Sequence, residues 1–178
     1  MQEFHEVLVN EHLNRFAGLL AIAQAPGWRM RHPEIASVRG RLDRIARIIR
    51  GGESFDVAAL SIEWVKLLAD ITCADPKLSY APGDLDWFYG LLSDQSQARV
   101  AIMLLLAVAS SNPRWYTAEQ LSQITGLSQI AWRKRAADEP DWMAQKRGKV
   151  WFFNELVLRA HGVDLPMSMQ IEEASSEE

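Results

Sequence analysis

The chain has one cysteine, Cys73, in 178 residues, so no intrachain disulfide is available and a reducing, cytoplasmic setting is expected. It lacks a long apolar run. The longest, Val100 to Ala109, is too short to cross a bilayer and suits a buried helix. Met1 is followed at once by Gln2 and Glu3, so no secretory leader is expected. No HExxH, CxxC or GxSxG pattern occurs, and no glycine-rich loop that would cradle phosphates. Without a nucleophile–base pair or a set of metal ligands, the expectation is a non-enzyme that needs no cofactor and holds no metal. His5 and His12, seven apart beside Glu6 and Glu11, match no accepted ligand spacing and read as surface polar residues. Asp84 and Asp86 at an apolar helix start read as caps. Asp138, Glu139 and Asp141 around Pro140 fit no cation-binding loop.

An overall basic balance is also lacking: the net charge is −4. Its distribution is uneven. Ser128 to Lys149 holds six basic residues against three acidic ones, and Arg29 to Arg50 holds seven arginines against two acids. After Gln170 come four glutamates and no base. Two cationic patches on an anionic body can steer a polyanion to one face.

What is present is apolar periodicity. Hydrophobic residues make up 48% of the chain, enough for a sizeable core. Phe4, Val7, Leu8, Leu13, Phe16, Leu20 and Ala23 recur at helical spacing over residues 3 to 25, and Pro26-Gly27 ends that helix. Pro33 opens a second helix to Arg50, with Ile35, Val38, Leu42, Ile45 and Ile49 on one side and arginines on the others. That helix is either a core element whose arginines pair with the acidic body, the favoured reading, or a second phosphate surface. A basic membrane-surface helix is the least favoured, since the seam has no Trp or Phe. Asp56 caps a third helix carrying Leu60, Trp64, Leu67, Leu68 and Ile71. Ala74 to Gly83 reads as a loop. Asp84 caps a short helix through Leu92, and Asp94 with Gln97 starts the apolar helix that runs to Ser110.

From Tyr116 the pattern changes. Thr117 and Gln120 make a capping box, and Leu121 and Ile124 share a helical face. Gly126 suits a left-handed helix end, Leu127 a core plug, and Ser128 the cap of a second short helix through Arg135. Asp141 to Gln145 and Val150 to Phe153 read as strands around the basic turn Lys146, Arg147, Gly148, Lys149. Asn154 caps a last helix ended by Gly162.

Residues 95 to 162, through ARVAIMLLLA, TAEQLSQITGLSQ and KRGKVWFF, resemble the winged helix-turn-helix of bacterial regulators of the ArsR and MarR type, and less closely the MerR/excisionase type. They depart from it at Trp132 and Arg135, where a small aliphatic and an apolar residue are usual. The expected fold is mainly α: a helical domain over 1–93, a winged helix-turn-helix with one β-hairpin over 94–165, and a disordered acidic tail over 166–178. The resemblance implies binding of double-stranded DNA in regulation or DNA maintenance. The helix from Ser128 would read the major groove, Gln129 pairing with adenine, Arg133 with guanine, and Ile130 meeting a thymine methyl. Lys134, Thr117, Lys146, Arg147 and Lys149 would hold phosphates. About four charged phosphate contacts give a log–log salt slope of roughly −3.6 per monomer, so a homodimer through the N-terminal helices is expected. The alternative is a helical adaptor that docks a protein partner. Folded back on the basic turn, the acidic tail would compete with DNA. Removing residues 168 to 178 is then expected to tighten duplex binding at low salt, and an unchanged affinity would dismiss the idea.

Overall fold

The computed structural model describes residues 10 to 52 and 54 to 166. Phe4, His5, Val7, Leu8 and nearly all of the acidic tail lie outside them. The protein is mainly helical, with one small antiparallel sheet in its C-terminal part.

Helix α1 (Glu11–Gln24) is the centre of the fold. Asn10 caps it through the Leu13 N–H at 3.0 Å. Phe16, Ala17, Leu19, Leu20, Ile22 and Ala23 are all fully buried, so this helix is covered on nearly every side. Pro26 and Gly27 end α1 as expected, but the chain re-enters a helix at once. Pro26 takes the first position of α2 (Pro26–Arg31), where its missing N–H costs nothing. Helix α3 (Val38–Arg50) begins five residues later than Pro33 suggests, at the Ser37 cap. Its buried seam is Val38, Leu42, Ile45 and Ile49. Arg41 pairs with Asp70 at 2.9 Å and Arg44 with Glu63 at 3.6 Å, as a core helix with an arginine coat requires.

Helix α4 (Val57–Ala74) is capped by Asp56 and carries Trp64 inward. Trp64 stacks on Phe88 of α5 (Pro82–Leu91), ring centroids 4.6 Å apart, and Phe16 meets Trp64 edge-on at 5.3 Å. Asp84 does cap α5, but from its third position: the carboxylate accepts from the Ala81 N–H at 2.7 Å. The same carboxylate is fully buried, accepts from Arg15, and lies 2.8 Å from His12 Nδ1. His12, expected at the surface, is half-buried and stacks on Trp87 at 5.8 Å.

Helix α6 (Gln95–Ala109) follows. Its Ala98, Ile102, Leu105 and Leu106 belong to the same core as α1, so the expected boundary at residue 94 falls inside that core. Beyond α6 most buried residues join a second core, although Met143, Leu156 and Val157 belong to the first. Three strands, β1 (Trp115–Thr117), β2 (Gln145–Arg147) and β3 (Val150–Asn154), form a sheet in the order β1-β3-β2. Between β1 and β2 run α7 (Ala118–Thr125) and α8 (Gln129–Asp138), and α9 (Glu155–Ala160) closes the fold. Strand β1 was not anticipated. The expected strand from Asp141 starts only at Gln145, because Pro140–Trp142 forms a 3-10 turn and Met143 takes a left-handed φ of 49°.

A second core joins Tyr116, Leu121, Trp132, Trp142, Phe153 and Leu158. The two cores are held together by α9 on α1. Gly18 makes that approach possible: a Cβ there would lie 2.6 Å from Val157 Cγ2. The buried ion pair is the other fixed point of the helical part. Replacing Asp84 with Ala strands Arg15 and is expected to cost about 3–5 kcal/mol in urea unfolding. A loss below about 1 kcal/mol would show the pair to be dispensable.

Candidate nucleic-acid interface

Local chemistry sets the turn between α7 and α8. Thr117 Oγ1 accepts from the Gln120 N–H at 3.2 Å, while Gln120 Oε1 accepts from the Thr117 N–H at 2.9 Å. The Thr117 hydroxyl is therefore engaged in the cap. Gly126 ends α7 at φ 78°, a conformation that favours glycine. Ser128 caps α8 through the Ala131 N–H at 3.1 Å. Thr125 is the hinge pin: its hydroxyl donates to the Leu121 carbonyl at 2.6 Å and accepts from the Trp132 indole at 3.2 Å.

Trp132 fixes the rotation of α8. Its ring is fully buried and meets both Trp142 and Phe153 edge-to-face at 5.4 Å. Arg135, the other departure from the helix-turn-helix pattern, lays its guanidinium over Trp132 at 4.8 Å and Trp142 at 5.1 Å. An arginine thus fills an apolar position by covering aromatic faces. With Trp132 and Ala136 inward, Ile130, Arg133 and Lys134 are exposed and Gln129 is half-buried. Gln129 Oε1 accepts from Arg133 Nη2 at 3.0 Å, so the two side chains expected to read bases are tied together. Neither Arg133 nor Lys134 belongs to a salt bridge among the described residues.

Leu127 is not a core plug. It is 41% exposed, and with Ile124 at 38% and Ile130 at 75% it leaves apolar side chains around the turn.

The ribbon divides its cations. Side chains alternate across a sheet, and directly paired residues share a face. Phe153 pairs with Tyr116, and Trp151 with Lys146, on the face that carries the second core. Phe152 pairs with Gln145 and Thr117, and Val150 with Arg147, on the other face. Lys146 therefore lies on the α8 side, 5.5 Å from the Trp151 ring centroid. Arg147 folds back over Phe152 and Trp115, 5.2 Å from each ring, against the helical body. Lys149 is exposed beside Gly148 in the turn. Lys134, Lys146, Arg147 and Lys149 are all exposed, but Arg147 lies on the sheet face opposite Lys146.

Burial raises the Tyr116 phenol above its ordinary range, and the Glu155 carboxylate adds to this. A group raised in the fold favours folding below its unfolded value of about 10, and that contribution is lost as the pH rises further. At neutral pH Tyr116 is an uncharged part of the second core.

Among the described residues no three His, Cys, Asp or Glu side chains gather as metal ligands, and no helix is long and apolar enough to cross a membrane. No protein-family model, no curated protein and no solved structure matches the chain.

Reasoning from sequence missed β1 and the placement of Arg147 on the sheet face opposite Lys146. A signal for β1 was present in Trp115, Tyr116 and Thr117, aromatic and β-branched residues of strand type. Because Trp132 holds α8, its loss should be felt widely. Trp132→Ala is expected to cost about 3–5 kcal/mol by denaturant titration, and Trp132→Phe less. A cost below about 1 kcal/mol for the alanine variant would contradict the packing described.

Proposed function

We propose that the protein binds double-stranded DNA, with α8 in the major groove and the β2–β3 turn on the neighbouring backbone. The single observation carrying this is the outward face of α8. It offers Arg133 and Lys134 without acidic partners while Trp132 anchors the opposite face. The order β1, α7, α8, β2, β3 supports a winged helix-turn-helix reading. In it Arg133 pairs with guanine edges, Gln129 with adenine and Ile130 with a thymine methyl. Lys134, Lys146 and Lys149 hold phosphates, and the capped N-terminus of α8 favours one at Ser128. Three phosphate contacts per monomer give a salt slope of roughly −2.7, which a homodimer through the N-terminal helices would double. The role is that of a non-catalytic regulator or DNA-maintenance accessory.

A second reading has its own support. Ile124, Leu127 and Ile130 form an apolar surface at the turn, which suits an adaptor docking a protein partner better than a polyanion.

Titration of labelled random duplex at about 50 mM and about 200 mM salt separates them. The DNA reading predicts binding that weakens steeply with salt. It also predicts that the double variant Arg133→Ala, Lys134→Ala lowers affinity and takes roughly 0.9 per monomer off the slope. Absence of salt-dependent binding, or an unaltered double variant, overturns it in favour of the adaptor.

A further inference from the structure

We propose a second anion site, on the opposite sheet face from α8, that takes a small phosphorylated ligand. A groove of about 490 Å³ opens between the helical body and the ribbon. Arg29 from the last turn of α2, Arg39 from the first turn of α3 and Arg147 from β2 line it, and no acidic side chain does. The three come from distant parts of the sequence, so only the folded chain assembles them.

Their partners do not neutralise them. Arg29 and Arg147 are in no salt bridge among the described residues. Arg39 lies 3.6 Å from Asp43, but both side chains are more than 60% exposed, and such surface pairs hold weakly. Arg147 has only the Trp115 and Phe152 rings. Ser37 and Val38 also line the groove, so the first turn of the thirteen-residue α3 opens onto it with its positive dipole end.

Guanidinium forks lining one groove without carboxylates suit the planar, multi-oxygen geometry of phosphate. The volume lies in the range of small-molecule sites and exceeds a lone phosphate ion, so a diphosphate or phosphate ester is the fitting class. A bound dianion would tie the ribbon, through Arg147, to α2 and α3. The site therefore gives the ribbon a way to respond to a metabolite.

Calorimetric titration of the full chain with inorganic pyrophosphate tests this, with sulfate at matched ionic strength as reference. One site is expected, with pyrophosphate bound more tightly than sulfate. Arg147→Ala, and the pair Arg29→Ala, Arg39→Ala, should each weaken it at least tenfold. Lys146→Ala, on the other face, should leave it unchanged. Unliganded melting temperatures of the variants show whether they are folded, and Arg147→Lys should retain part of the affinity if an alanine variant is not. No binding of pyrophosphate, or equal weakening by Lys146→Ala, overturns the proposal. So does loss of duplex affinity in the Arg29, Arg39 variant without pyrophosphate binding, which would assign the groove to the DNA backbone. Failure of the DNA reading leaves the pyrophosphate titration unaffected.

Discussion

The edge-to-face contact of Trp132 with Phe153 sets the orientation on which the C-terminal half depends. Phe153 is the inward residue of the central strand, and Trp132 is the inward residue of α8. Their packing docks the helix on the sheet and fixes its rotation together. Every statement about which α8 side chains face solvent follows from that rotation. Thr125 and Arg135 reinforce it from either side, one by a hydrogen bond to the indole and the other by covering the ring.

The pleat of β3 then does the sorting. Phe153 and Trp151 face the second core, while Phe152 faces the helical body. Because β2 pairs in register with β3, adjacent lysine and arginine are sent to opposite sides. A run of cations that looks uniform along the chain becomes two chemically separate surfaces. The α9–α1 contact at Gly18 joins the two halves.

The sequence shows the helices well where caps and periodicity agree. Asp56, Asp94, Thr117, Ser128 and Asn154 all cap the helices assigned to them. Starts marked by proline were less legible. Pro26 both ends one helix and opens the next, and Pro33 precedes a loop rather than α3. The exposure of Leu127 was not legible, because an apolar residue after a turn glycine can face inward or outward depending on tertiary packing. Nor was the face of Arg147, since a one-residue slip in the pairing of β2 with β3 would reverse it. The outward cations of α8 could be named from the sequence; that three arginines from α2, α3 and β2 line one groove could not, because only tertiary packing brings them together.

The orientation of α8 is best tested by thiol accessibility in a Cys73→Ser background, which removes the native exposed cysteine. Arg133→Cys should react with a thiol reagent at the rate of an unprotected cysteine. Ala136→Cys, on the Trp132 side, should react far more slowly, at a rate limited by opening of the fold. Equal rates, or faster reaction at position 136, would contradict the packing that turns Arg133 and Lys134 outward.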